Sequence, residues 1–352
     1  MRVTIRDVAK QANCSTTAVS LVLNEKADNV SPETRRRVFE TAERLGYRPN
    51  RLAADLAKGK TRTIGLIIPD NRNPFFGTIL NYVEAEADKA GYRVIAGNSN
   101  DSIVKDIAYI DAFLSYCVAG IIIVRANTFT RREDVLLQNL IRNCSTPVVA
   151  IDRVFSGVTV PTFAVDNRLG GFIATKHLLD MGHRRIGCYT GPMSAWSAQR
   201  RLLGYKEAME AAGMAFAQDM LYEGNYQMSK DEDVYRYFMD REVTAVFAHN
   251  DMQAFGLYKY AQLSGRRIPD DCSLIGFDNL DFGAIITPGL SSIRYPVEQL
   301  THDAVDCLIN MVEYGGESRF SGMGMVEYAP ELVSRDSVMC LNRDVPSDAH
   351  QP

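Results

Sequence analysis

The chain contains no Cys-x-x-Cys pair, and its seven cysteines, at 14, 117, 144, 188, 272, 307 and 340, are odd in number and widely spread. Structural zinc and a disulfide framework are both disfavoured by that pattern, and a reducing cytoplasm is the expected location. Long apolar runs are absent as well. Ile64–Pro69 and Gly120–Val124 fall far short of the roughly 20 residues that cross a bilayer. The N-terminus lacks the uninterrupted apolar stretch of a signal peptide, so no membrane partner is expected. The five histidines, at 177, 183, 249, 302 and 350, show no metal spacing, and no metal is predicted. Neither a Gly-x-Gly-x-x-Gly turn, a Gly-x-x-x-x-Gly-Lys phosphate loop nor a Gly-x-Ser-x-Gly elbow occurs, which leaves no cofactor loop and no activated nucleophile for an enzyme. Gly170-Gly171, in a helical context, reads as close packing instead of phosphate binding.

The net charge is only −4, but it is unevenly placed: residues 1–60 carry 12 Lys and Arg against 7 Asp and Glu. The basic excess therefore sits at the N-terminus, where Thr4–Asn24, TIRDVAKQANCSTTAVSLVLN, reads as two short helices around a tight turn. Thr4 and Asp7 have the spacing of a helix start. Ile5, Val8, Ala9 and Ala12 recur on one face. Asn13 tolerates the left-handed exit, and Ser15 suits the next cap. The second helix turns Val19, Val22 and Leu23 inward and shows Thr16, Thr17, Ser20 and Asn24 outward. A helix-turn-helix that lays this face in a DNA major groove is predicted; from these residues alone a plain helical hairpin stays open. Ser31-Pro32-Glu33 starts a third helix with Val38, Ala42 and Leu45 inward, Arg35, Arg36 and Arg37 near its first turn, and Gly46 at its end.

Asn50–Gly59 favours helix but is shorter than the roughly 12–15 residues an isolated helix needs, so it should fold only with help. Ala53 and Leu56 lie on its apolar side and suit a minor-groove wedge; a plain linker is the alternative. From Thr63 strands alternate with helices: strands at 64–68, 94–96, 121–124, 148–151, 186–190, 245–248 and 273–277, helices between them. That alternation implies parallel sheets covered on both faces, and eight or nine strands suggest two sheets with a ligand cleft between them.

With these residues laid out, the chain resembles the lactose-repressor/galactose-repressor (LacI–GalR) family of bacterial regulators from Thr4 to about Ser337. The anchors are Thr4–Asn24, Tyr47-Arg48-Pro49-Asn50 with Leu56, Asn73-Pro74-Phe75-Phe76, Asp166-Asn167 with Gly170, Arg201-x-x-Gly204-Tyr205, Asn250-Asp251, Gly276-Phe277-Asp278 and Pro330-Glu331-Leu332. The resemblance implies an all-α helix-turn-helix headpiece (1–49), a hinge helix (50–60), an α/β periplasmic-binding-protein-like (type I) domain (61–342) and a tail (343–352). The domain's N-subdomain would span about 61–162 and 291–324, its C-subdomain 163–290 and 325–342, with crossings near 162, 291 and 324. It further implies a homodimer on a palindromic double-stranded operator and a small-molecule effector in the cleft. The tail has no heptads, so a dimer is expected without a tetramerisation helix.

Thr16, Thr17 and Leu21 match the family's base-reading positions, and Leu21 departs from the arginine several members carry. The candidate DNA-contacting set is Thr4, Ser15, Thr16, Thr17, Ser20, Leu21, Asn24, Ser31, Thr34, Asn50, Ala53 and Leu56. The candidate effector set is Asp70, Asn73, Phe75, Phe76, Asp152, Phe163, Trp196, Ser197, Arg201, Tyr226, Asn250 and Asp278. Carboxylates, amide, guanidinium and aromatic faces suit a polyol, so a sugar, acting as an inducer, is expected. Phe75 and Phe76 also read as core, Trp196 as a surface aromatic and Asp152 as a helix cap. Position 195, Arg in purine-responsive members, is Ala195 here, which argues against a nucleobase. A solute-binding protein and an α/β sugar-processing enzyme carrying a DNA-binding appendage are the competing readings; the basic headpiece opposes the first, the missing nucleophile the second.

Overall fold

The computed structural model describes residues 3–23, 30–47, 61–127, 129–155, 157–228, 232–315 and 324–342. The chain divides into two compact units, Met1–Thr61 and Arg62–Pro352.

In the first unit three helices, α1 (Ile5–Gln11), α2 (Thr16–Leu23) and α3 (Pro32–Arg44), enclose a small core of Val8, Ala12, Val19, Val22, Val38 and Ala42. Their starts follow local chemistry. The Asp7 carboxylate accepts from the Thr4 backbone N–H at 2.9 Å and from its hydroxyl at 2.7 Å. Ser15 Oγ accepts from the Ala18 N–H at 3.1 Å, and Ser31 Oγ from the Thr34 N–H at 3.3 Å. Asn13 takes the left-handed conformation, φ +47°, that turns the chain between α1 and α2.

The second unit holds two six-stranded sheets. In chain order its elements are β1 (Thr63–Ile68), α4 (Pro74–Lys89), β2 (Arg93–Asn98), α5 (Ile103–Ser115), β3 (Gly120–Ile123), α6 (Arg131–Asn143), β4 (Val148–Ile151) and β5 (Thr162–Val165). Then come α7 (Asn167–Asp180), β6 (Ile186–Thr190), α8 (Trp196–Ala211), β7 (Leu221–Glu223), α9 (Glu232–Met239), β8 (Ala245–Ala248) and α10 (Asp251–Leu263). The last are β9 (Ser273–Asp278), α11 (Phe282–Ile285), β10 (Ser291–Arg294), α12 (Val297–Tyr314), β11 (Met325–Tyr328) and β12 (Glu331–Val333). The first sheet runs β11-β5-β4-β3-β1-β2, the second β12-β10-β9-β8-β6-β7, and every pairing is parallel except β12 with β10. Central strands such as β3 and β4 are buried along their whole length, as unbroken apolar runs require when helices cover both faces.

The chain passes between the sheets three times, each crossing one short strand later than expected near 162, 291 and 324. It leaves the first sheet after Val165, returns after Arg294 and leaves again after Tyr328. The physical reason is the ladder. β5 is held by β4 and β11, and β10 by β9 and β12, so each strand completes its backbone bonds before the chain can cross. Residues 291–294 therefore belong to the second sheet and 325–328 to the first. α12, with Leu300, Ala304 and Leu308 buried, covers the first sheet over β3, β4 and β5.

Two helices of the second half meet at backbone contact. A Cβ on Gly171 of α7 would lie 2.2 Å from the Arg201 carbonyl oxygen, and one on Gly204 of α8 would lie 2.0 Å from that of Arg168. The glycines let α7 and α8 touch, which sets where Arg201 stands. Close packing is the role read for Gly170-Gly171, and Gly170 adds its own contact beneath the Phe277 ring.

Candidate functional site

In the first unit, α2 buries Val19 and Val22 and leaves Thr16, Thr17 and Leu21 exposed, with Ser20 half-buried between them. Short hydroxyls at the start of an exposed helix can each donate to or accept from a base edge, and the Leu21 side chain offers only apolar contact. Arg35 and Arg37 are occupied elsewhere: their Nε atoms donate to the Val30 and Ala12 carbonyls at 2.9 and 2.8 Å and brace the turn. Thr4, Ser15, Ser31 and Thr34 sit at helix starts, where their side chains cap or support caps. Asn24, Asn50, Ala53 and Leu56 lie outside the described residues.

In the second unit, Asn73, Phe75, Phe76, Asp152, Ser197, Arg201, Tyr226, Asn250 and Asp278 line one chamber of about 40 Å³ between the two sheets. Each arrives by a local device. Asn73 caps α4, accepting from the Phe75 N–H at 3.0 Å with Pro74 at the first helical position, and this turns both phenylalanines inward. The two rings meet edge to face at 5.2 Å, and Phe75 meets Tyr295 at 5.0 Å. Asp152 follows β4 at φ +67°, and its Oδ1 accepts from the Tyr295 hydroxyl at 3.1 Å. Ser197 and Arg201, four apart on α8, share one helical face. The Ser197 and Tyr226 hydroxyls are 2.9 Å apart. Asn250 caps α10 and donates to the Tyr226 carbonyl at 2.9 Å.

Arg201 is 4 % exposed. Its Nε donates to Asn167 Oδ1 at 2.7 Å, Nη1 donates to the His249 carbonyl, and its plane lies 3.6 Å from the Phe277 ring centroid. Nη2 has no partner among the described residues. Asp278, at φ +106° and 8 % exposed, has no hydrogen-bond donor among them either. Burial pushes its carboxyl well above the ordinary carboxylate range; Arg201 pulls it down, and Asp251 and Asp152 push it further up. Burial likewise holds His249, behind the chamber, well below its ordinary value and hence neutral. Asp152, Tyr226 and Asp278 all hold left-handed backbone, a strain that non-glycine residues carry mostly at functional sites.

Three residues of the expected set lie elsewhere. Asp70 lines an outer vestibule of about 210 Å³, beside the chamber. Phe163 is fully buried in β5, where its ring belongs to the core. Trp196 opens α8, and its ring faces the Arg200 guanidinium at 5.9 Å. One residue is about 100° of helix, so Ser197 and Arg201 face the chamber while Trp196 turns off it. Arg153 lines both chamber and vestibule and was not expected; its signal was a cation directly after Asp152 at a strand's carboxyl end. Among the described residues, no group of three or more His, Cys, Asp or Glu could hold a metal ion, and no helix is long and apolar enough to cross a membrane.

Family models match residues 4–50 as bacterial regulatory proteins of the lacI family and residues 175–338 as a periplasmic binding protein-like domain. Over 341 residues the chain is 33 % identical to the HTH-type transcriptional repressor PurR of Photobacterium profundum, covering 96 % of this chain and 99 % of that protein. This chain belongs to the lacI family. It is also 32 % identical to PurR of Aliivibrio salmonicida, over 95 % of this chain and 98 % of that one. Among solved structures, the transcriptional regulator CelR–cellobiose complex is 26 % identical, with a TM-score of 0.69 over 96 % of this chain and 100 % of that chain. The lac repressor dimer bound to operator and the anti-inducer ONPF is 24 % identical with a TM-score of 0.82 over the same shares, and that likeness speaks to the fold alone. This lacI-family chain is a DNA-binding transcriptional repressor with a helix-turn-helix region and a two-sheet periplasmic-binding-protein-like domain, not an enzyme.

Proposed function

We propose that a sugar is the effector of this repressor, bound in the chamber between the two sheets. The observation that carries the reading is the pair of unfilled groups there: the Asp278 carboxyl without a donor and Arg201 Nη2 without an acceptor among the described residues. Both groups open on the chamber and are left to water by the protein, so the site favours a ligand that accepts from Arg201 and donates to Asp278 in place of that water. Adjacent hydroxyls of a sugar ring do both, and Phe75 and Phe76 supply faces for its C–H surface. A purine base is the second reading; Ala195, 1 % exposed, offers it no donor.

A chamber of 40 Å³ holds little more than about one water, so ring entry requires the sheets to part at the three crossings. Binding then couples to DNA only by unequal affinity for the two arrangements. Exposed Phe282 and Ile285 on the second subdomain favour a homodimer. In this proposal sugar binding changes affinity for a palindromic operator through the hinge, residues 50–58, which lies outside the described residues.

Thermal-shift screening of the full-length protein against a carbohydrate panel, with purine bases in the same plate, tests the proposal. A sugar at about 100 times its Kd stabilises by about 2.7 kcal/mol, and the same sugar is expected to change operator affinity in a gel shift. Stabilisation by purine bases alone, or by nothing in the plate, overturns it.

A further inference from the structure

The chamber does not end at its own lining. Asn73, Phe76, Arg153 and Tyr226 are shared with the vestibule, so one ligand can occupy both spaces at once. The vestibule is the larger, about 210 Å³ against 40 Å³, and both halves of the domain build it, with Pro69, Asp70 and Asp101 on one side and Pro192, Met228 and Met252 on the other. Resting on the sugar reading above, we infer that the vestibule is a second subsite and that the effector is a neutral two-ring sugar.

Charge decides between a second sugar ring and a phosphate. The vestibule contains two guanidiniums, and both are already neutralised. Arg72 donates from Nε and Nη2 to the two Asp70 oxygens, each at 2.9 Å, and Arg153 donates to Asp101 Oδ1 at 2.5 Å. With Asp70 and Asp101 beside them the two guanidiniums leave the vestibule no net positive charge to draw a phosphate, whereas a neutral ring needs none. The surfaces also fit a ring. Pro69, Pro192 and Met252 present apolar area that a pyranose C–H face can cover, and the paired guanidiniums keep N–H groups at the rim for its hydroxyls. Phe76, under the Arg153 guanidinium at 5.5 Å, floors the passage from one space to the next.

Calorimetric titration of the full-length protein with glucose, galactose and mannose, against cellobiose, maltose and lactose, tests the inference. Glucose 6-phosphate and p-nitrophenyl glucoside complete the series. The best disaccharide is expected to bind at least about tenfold more tightly than either of its component rings. Met228→Trp, on the exposed rim, is expected to change that ratio at least about threefold with the melting temperature unaltered. Equal affinities for one and two rings, a gain matched by the phosphate or the aryl glycoside, or a ratio indifferent to Met228→Trp each overturn the second subsite while the sugar reading stands. Failure of every sugar to bind overturns both.

Discussion

Replacing Gly204 by alanine is the sharpest probe of how the effector site is held. The added Cβ would lie 2.0 Å from the Arg168 carbonyl oxygen and 2.6 Å from the Phe172 nitrogen, both backbone atoms that cannot swing aside. Helices α7 and α8 must separate by about 1.4 Å to restore ordinary contact, and such overpacking costs about 1–3 kcal/mol. At this size each kcal/mol lowers the melting temperature by roughly 2–4 °C. The same separation stretches the 2.7 Å bond from Arg201 Nε to Asn167 Oδ1, because donor and acceptor ride on the two helices. Gly204→Ala should therefore melt several degrees lower by calorimetry and also lose effector affinity, although residue 204 does not line the chamber. Gly77→Ala is the control. Gly77 lies in α4 with nothing within 4 Å of its missing Cβ, so alanine should stabilise by up to about 1 kcal/mol through helix propensity. If Gly204→Ala melts with the wild type, or melts lower but binds the effector equally well, then helix contact does not position Arg201.

Arg201→Lys keeps the charge but loses the planar fork that reaches Asn167 and His249 while stacking on Phe277; effector affinity should fall by at least about tenfold in calorimetry, with operator binding of the free protein retained. Asp251, fully buried, accepts from the Ser292 hydroxyl and the Leu280 N–H, each at 2.7 Å, and burial pushes its carboxyl up to about 7. A raised carboxyl favours the folded state most below the unfolded value near 4, and that advantage is lost as pH rises toward 7. Relative to Asp251→Asn, the wild type should lose about 2–3 kcal/mol of stability between pH 5 and 8; a pH-independent difference in denaturant titrations would remove the buried carboxyl as cause. Leu56→Ala should keep the fold and effector binding yet lose most operator affinity in a gel shift, and unchanged affinity would exclude the wedge role.

Period and punctuation alone revealed much of this molecule. Unbroken runs such as Ile64–Ile68 predict buried parallel strands, because a strand covered on both faces cannot alternate. Cap residues Thr4, Ser15 and Ser31 mark helix starts because their chemistry is satisfied within three residues. The family resemblance, carried by residues spread along the chain, extends that reading to the headpiece and to the chamber, where nine of the expected residues meet. What escaped was non-local. The short strands β5, β10 and β11 owe their sheet to partners far along the chain, so the crossings were placed too early.

The sequence by itself determined the order of helices and strands, the basic character of the first 60 residues and the types of side chain offered to a ligand, since each depends on neighbours within a turn or two. Tertiary structure decided which of those side chains share a chamber. Trp196 and Ser197 are adjacent in the chain, yet helical rotation sends one to an arginine and the other to the site. Arg153 gains its place because β4 ends between chamber and vestibule, and Arg201 gains its direction because two glycines let helices touch. Local sequence carries propensity; only packing between distant segments fixes where a buried charge points and whether it finds a partner.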